Sequence, residues 1–251
     1  MAKILLAGES WISTTTEYKG YDSFTSTKLE IGCEALLHSL KELGHTVTHL
    51  KAHDVPEKFP WTMAELNQYD VVLLSDIGSN SFTLSNGVFA GGNPAVNRLE
   101  LLKQWVLAGG ALMMAGGYLS FSGFEGKAHY HGSPIEDILP VSVKPYDDRI
   151  EAPQGVHPVQ KVANSITTDL GPFPVILGYQ DIEPKPDSQV LMIANDTPLL
   201  VTGKAGSGRT LAYGTDIAPH WASQDFMAWN HYGEFFSRCI NWLAGKLVAV
   251  S

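Results

Sequence analysis

The chain has 251 residues, 44% of them apolar, a size and composition that let one α/β domain spanning residues 1–251 bury a substantial core. Lys and Arg total 17 against 26 Asp and Glu, for a formal net charge of -9, so the overall field opposes polyanions and nucleic acid is not expected as a partner. Met1-Ala2-Lys3 runs straight into apolar residues without a basic leader, and no apolar stretch reaches spanning length, so a cytoplasmic protein with no membrane partner is expected.

In chain order, residues 3–7 read as a first strand, followed by a polar loop from Glu9 to about Lys28. Residues 29–40 carry apolar side chains at helical spacing, and Gly44 supplies the stop. Residues 45–50 form a second strand. The continuous apolar run Val71-Val72-Leu73-Leu74 is the signature of a third strand, parallel and covered on both faces. After a Gly-, Ser- and Asn-rich segment over residues 77–93, Pro94 is expected to open a helix with Val96, Leu99, Leu102, Trp105 and Val106 on its apolar face, ended by Gly109-Gly110. Residues 111–115 make strand four. Past Gly123, Pro and Gly punctuate short β runs, among them a hairpin of residues 199–203 with 209–213, and a final helix covers about residues 226–243. The alternation of strands and helices predicts a three-layer, mostly parallel doubly wound sheet of flavodoxin-like type, with an antiparallel β extension in the second half. Cys33 and Cys239 fall in helical segments without a CxxC spacing and are expected to be buried, free thiols.

Open parallel sheets bind ligands outside the carboxyl ends of their strands. That rule selects Glu9, Ser10 and Trp11 after strand one, Asp76 after strand three, Gly117 and Tyr118 after strand four, and Asp216, His220 and Trp221 after the late hairpin. The turn Gly116-Gly117-Tyr118 has the form of a nucleophile elbow, where small neighbours let a strained residue close against the sheet. Strand four and this turn, with Phe121-Ser122-Gly123, the run from Tyr130-His131-Gly132 to Leu139-Pro140 and Thr215-Asp216 through His220-Trp221, resemble a bacterial glutamine amidotransferase-like family of unknown function. That family lies within the class I glutamine amidotransferase-like superfamily, and the likeness spans most of the chain. A more distant likeness, to trehalose-utilisation proteins, rests on His157-Pro158-Val159 and on residues 198–213.

The resemblance implies the superfamily fold, but Tyr118 stands where the active members carry their cysteine, and Pro219-His220-Trp221 stands in place of His-Pro-Glu. Glutamine hydrolysis needs a thiolate and a histidine oriented by a carboxylate, so glutaminase activity is not expected. Tyr118 either buries its ring as a strand cap or hydrogen-bonds in a pocket; Asp216 either caps the following turn or faces a ligand. Ser120 would act as a nucleophile only with a base in reach. His129 and His131 form a His-x-His pair that serves either as solvated loop groups or, with Glu9, Asp216 and His220, as a mixed metal site; no metal or other cofactor is required by the sequence. Two functions follow. Tyr118, Asp216 and His220 are candidate catalytic groups, and Glu9, Ser10, Trp11, Asp76, Gly117, His131 and Trp221 candidate binding groups, for a small polar, possibly sugar-like metabolite. Alternatively, the chain is a non-catalytic assembly module, and on either reading a homo-oligomer is expected.

Overall fold

The computed structural model describes residues 1–246. Its strands are β1 (Lys3–Gly8), β2 (Ser10–Lys19), β3 (Asp22–Ile31), β4 (Thr46–Leu50), β5 (Val71–Ser75), β6 (Ala111–Ala115), β7 (Val141–Ser142), β8 (Arg149–Val156), β9 (Val159–Gln160), β10 (Ile176–Gln180), β11 (Glu183–Pro184), β12 (Gln189–Ala194), β13 (Thr197–Ala205) and β14 (Gly208–Tyr213). Between them lie α1 (Glu34–Glu42), α2 (Val55–Lys58), α3 (Met63–Leu66), α4 (Asn80–Thr83), α5 (Asn86–Phe89), α6 (Arg98–Leu107), α7 (Pro134–Ile138), α8 (Gln224–Met227) and α9 (Tyr232–Leu243).

The main sheet has the order β4-β1-β5-β6-β14-β13-β12-β9. Its first five strands are parallel, in the flavodoxin-like arrangement, and β13, β12 and β9 continue it antiparallel. Two short ribbons, β8 with β10 and β7 with β11, form the rest of the antiparallel extension. Period-two alternation divides the parallel strands between two cores: Ile4, Leu6, Val71, Leu73 and Met113 face the layer of α1 and α9, while Leu5, Val72, Leu74, Leu112 and Met114 face the layer of α6. The fold is thus the three-layer α/β architecture expected. Among the described residues no helix is long and apolar enough to cross a membrane.

Four local expectations need correction. The segment read as a polar loop after strand one is a hairpin arm, β2 and β3 paired residue for residue from Ser10↔Ile31 to Lys19↔Asp22. Its Thr- and Ser-rich strands lack the apolar alternation that marks a half-buried strand, yet Gly20, with φ 68, supplies the backbone that a two-residue hairpin turn demands at its first position. Leu29 and Ile31 belong to this arm, so α1 starts only at Glu34. Pro94 precedes α6 rather than opening it, because Asn97 takes the cap, its side chain accepting from Leu99 N and Glu100 N at 3.1 and 3.2 Å. The last helix is broken into α8 and α9.

Arg98 fastens the α6 side of the sheet. Its side chain is almost wholly buried, lies 4.1 Å from the Trp61 ring, and donates to the carbonyls of Phe82 (2.7 Å), Val55 (3.0 Å), Phe59 (3.5 Å) and Ser81 (3.3 Å). Arg98→Ala is expected to cost about 3 kcal/mol or more, since each buried carbonyl left without a donor costs about 1–3 kcal/mol. Arg98→Lys should recover only part of it, lacking the planar fork that spans several acceptors. The midpoint of urea unfolding measures both.

Candidate functional site

From β1 the chain goes on to β4 on one side, and from β5 to β6 on the other, so the crevice between the carboxyl ends of β1 and β5 is the switch point of the sheet. Gly8 lets the two ends meet: its φ is +105, and a Cβ there would lie 2.0 Å from the Ser75 carbonyl oxygen. Glu9 N donates to that same oxygen at 2.9 Å, and Ser75 Oγ donates to Glu9 Oε2 at 2.5 Å. Glu9 and Asp76, the residues that follow the two strands, adopt left-handed backbone with φ of 51 and 44. Such a conformation costs a residue with a side chain about 1–3 kcal/mol. Hydrogen bonds hold Asp76 in it, with Asp76 N donating to Ser120 Oγ at 3.0 Å and Oδ1 accepting from Leu119 N at 2.7 Å.

Over this crevice lies a cavity of about 200 Å³ lined by three carboxylates, Glu9, Asp76 and Asp216, with Trp11, Tyr118, Pro219 and His220 around them. Larger hollows of about 380 and 620 Å³ lie beside α7 and between α1 and α9, and neither collects a comparable set of acidic groups. Burial pushes Glu9 well above the usual carboxylate range, the charges of Asp216 and Asp76 push it further, and the Ser75 hydroxyl only partly offsets them. Asp216 is raised in the same way by burial and by Asp76, against hydrogen bonds from the Ala218 and Ile217 amides. Burial raises Asp76 too. Three acidic groups in one small cavity do not all ionise, so the set holds protons that exposed carboxyls would have lost.

His220 Nδ1 lies 3.7 Å from Asp216 Oδ2, so the late histidine does have a carboxylate, four residues before it rather than two after. Burial lowers its pKa, favouring the neutral ring. The Tyr118 ring meets that imidazole edge-on, with centroids 4.4 Å apart, but its hydroxyl donates to Glu151 Oε1 at 3.0 Å, and Arg149 lies over its face at 4.5 Å. Burial and the neighbouring Glu151 raise the phenol's pKa above its ordinary value. Tyr118 itself stays outside the left-handed region; in the elbow the positive φ, 138, is that of Gly117. A Cβ on Gly117 would come within 3.0 Å of Asp76 Oδ1, so glycine there makes room for the carboxylate.

Six of the residues selected from the sequence therefore meet at one cavity: Glu9, Trp11, Asp76, Tyr118, Asp216 and His220. Gly117 and four others stand apart from its lining. Ser10 is buried at the root of β2, its Oγ accepting from Ala52 N at 2.8 Å. Trp221 offers no free stacking face, being 1% exposed with Nε1 donating to Glu151 Oε2 at 3.0 Å. His131 is turned to the Val143 carbonyl, 2.8 Å from Nδ1, and toward Glu136. His129 is an exposed residue of the same loop, with φ 57. Among the described residues no three His, Cys, Asp or Glu side chains are arranged to hold a metal ion. Ser120 spends its hydroxyl on Asp76 N. Two residues not singled out from the sequence support the site. Glu151 joins Tyr118 to Trp221, and buried Gln180 donates to the Gly117 carbonyl at 2.7 Å. Both lie on the β8–β10 ribbon, and no local signal marks a strand residue whose role arises when its ribbon folds across the sheet edge.

Asp216→Asn keeps the acceptor for Ala218 N, 3.0 Å from Oδ1, and removes a charge that the cavity disfavours. A carboxyl raised on folding stabilises most below its unfolded pKa and loses that contribution as pH rises through the folded value. The substitution is therefore expected to raise Tm at pH 8 by about 2–4 °C, the shift that 1 kcal/mol gives in a domain of this size. The gain should vanish near pH 4, where both side chains are neutral; thermal melts at the two pH values check it.

The family model described as "Putative glutamine amidotransferase" matches residues 3–245. Two solved structures from Salmonella typhimurium are similar over nearly their whole length: Cytoplasmic Protein STM3548 (39% identity, TM-score 0.93, 96% of this chain and 98% of that one) and, from strain LT2, Cytoplasmic Protein STM1381 (40%, 0.92, 96% and 99%). A "Putative thua-like protein" from Bacteroides uniformis ATCC 8492 shares the fold at 11% identity and a TM-score of 0.51 over 92% of this chain and 90% of that one. No protein of curated function matches. With matched residues running from β1 to the end of α9, the chain belongs to the glutamine amidotransferase-like family that this model describes.

Proposed function

We propose that the chain binds a small polar, sugar-like metabolite in the cavity at the carboxyl edge of the sheet and exchanges protons with it through Glu9, Asp216 and His220. The observation that carries this reading is the crowding of three carboxylates with Trp11 and Tyr118 around about 200 Å³ of space. Pockets for drug-sized ligands span about 300–1,000 Å³, so the fitting occupant is small. A hydroxyl both donates and accepts, and a mixture of protonated and ionised carboxyls offers both partners at once. The exposed Trp11 ring adds an apolar face. A carboxylic acid beside a carboxylate is also the pairing from which acid–base catalysis is built.

Glutamine hydrolysis is not part of this proposal. Tyr118 occupies the position of the nucleophile, its hydroxyl is committed to Glu151, and its pKa is raised rather than lowered. Cys33 is buried, with its thiol pushed up to about 12, so it supplies no thiolate. We place the protein in the cytoplasm, in keeping with the names of the two Salmonella proteins.

Calorimetric titration against a panel of monosaccharides and polyols, with glutamine alongside, tests the reading. At least one polyol should bind, Asp216→Asn should weaken it about tenfold, the loss of roughly 1.4 kcal/mol of interaction, and His131→Ala should leave it unchanged. Affinity should also fall at high pH as the raised carboxyls lose their protons. Binding of no polyol, or equal losses in the two variants, would sink the proposal. Ammonia release from glutamine should stay at background.

A further inference from the structure

The hairpin arm has two chemically different faces. In an antiparallel pair, residues opposite one another share a face, as do residues two apart along a strand. One face pairs Ile12 with Leu29, Thr14 with Thr27, Thr16 with Thr25 and Tyr18 with Ser23. The hydroxyls of Thr14 and Thr27, 3.3 Å apart, and of Thr16 and Thr25, 3.1 Å apart, confirm that these side chains stand together. All eight residues are exposed and none is charged. Every charged residue of the arm, Glu17, Lys19, Asp22, Lys28 and Glu30, falls on the other face, where Lys28 lies 2.6 Å from Glu30 and Lys19 3.9 Å from Glu17. One solvated face and one uncharged, β-branched face is the pattern of an antiparallel sheet that packs on something.

We infer that this uncharged face is the contact between two copies of the chain, the arms packing face to face about a two-fold axis. The face is self-complementary in that arrangement. The two Thr ladders meet at the centre, and the Ile12–Leu29 pair at the root of one arm covers Tyr18 near the tip of the other, as an isologous interface requires. Electrostatics point the same way. Each copy carries a net charge of -9, which disfavours contact between the bodies. The arm, with two of the basic and three of the acidic residues, is nearly neutral. Its ten-residue strands span about 33 Å, so overlapping arms keep the two bodies apart by more than the Debye length of roughly 8–10 Å. Eight residues a side is small against the roughly 20–30 of a standard interface, so the dimer is weak and concentration-dependent. The association needs nothing of the cavity or its ligand.

Sedimentation velocity over a concentration series from about 1 to about 300 µM, a range suited to a small interface, reads the association directly. The average mass of the parent chain should climb toward that of a dimer. Thr16→Lys, and its cross-strand neighbour Thr25→Lys, should hold it at the monomer, because each puts a charge on the covered face. Thr15→Lys, one position away on the charged face, should dimerise as the parent does. Circular dichroism melts should show all three variants folded, since the arm packs on nothing in its own chain beyond its root; the second lysine variant keeps the test intact should the first misfold. A parent that stays monomeric throughout, or lysine variants that behave alike on both faces, would overturn the inference.

Discussion

The contact between the ends of β1 and β5 sets the geometry of the acidic cavity on which the rest of the candidate site depends. Two strands that diverge in the chain's path must meet at their carboxyl ends, and only a residue without a Cβ permits the approach that Gly8 makes to the Ser75 carbonyl. Once they meet, the amide and carboxyl of Glu9 are both committed to Ser75, and the chain turns away through left-handed backbone at Glu9 as it does at Asp76. The carboxyl of Glu9 is thereby fixed in a dry place, beside Asp216 and Asp76, where burial and like charge resist its ionisation. None of this favours stability: left-handed backbone costs energy, and so does a crowd of buried acids. The apolar layers on both sheet faces supply the stabilisation that tolerates it. Left-handed backbone recurs at turns elsewhere in the chain, among them Phe121, Asp169 and Asn195, so it is the crowd of buried acids that sets this cavity apart.

The same geometry reassigns the roles of the elbow. In an enzyme built on a nucleophile elbow, strain sits on the nucleophile and presents it to the substrate. Here the positive φ of the elbow belongs to Gly117, the left-handed acidic residues that line the cavity are Glu9 and Asp76, and Tyr118 turns its hydroxyl to Glu151 under the guanidinium of Arg149. The tyrosine acts as a wall, positioned from outside by Glu151 and Arg149. His220, partnered by Asp216 rather than by a carboxylate two residues on, faces the cavity from the other side of that wall. What this edge presents to the cavity is a set of carboxyls and one imidazole.

How much of this was legible in the sequence follows from what each signal depends on. The parallel strands were readable because burial on both faces turns Val71-Val72-Leu73-Leu74 and Ala111-Leu112-Met113-Met114 into unbroken apolar runs. The rule that ligands gather at carboxyl ends then brought Glu9, Asp76, Tyr118, Asp216 and His220 together without coordinates. It failed for Ser10 and Trp221, since a residue near an edge can turn its side chain to a neighbouring amide or to Glu151 as easily as to the cavity, and the His-x-His spacing misled in the same way for His131, which turns to the Val143 carbonyl. Glu151 and Gln180 were invisible because their ribbon reaches the edge through tertiary folding alone. The arm was missed for the opposite reason: it is a strand pair whose faces are defined by charge, not by burial in its own chain.

That arm and the cavity share their foundations. Trp11, the second residue of β2, lines the cavity, and Gly32, directly after β3, donates its amide to the Glu9 carbonyl at 3.0 Å. A Cβ on Gly32 would lie 2.7 Å from Glu9 Oε1 and 3.2 Å from the Trp11 ring, so the root of the arm is packed against the least exposed acid of the site. A two-stranded ribbon is marginal by itself, so the arm depends on this packing at its root. The arm and the cavity thus meet at three residues, Trp11, Gly32 and Glu9, which fix where the arm leaves the sheet.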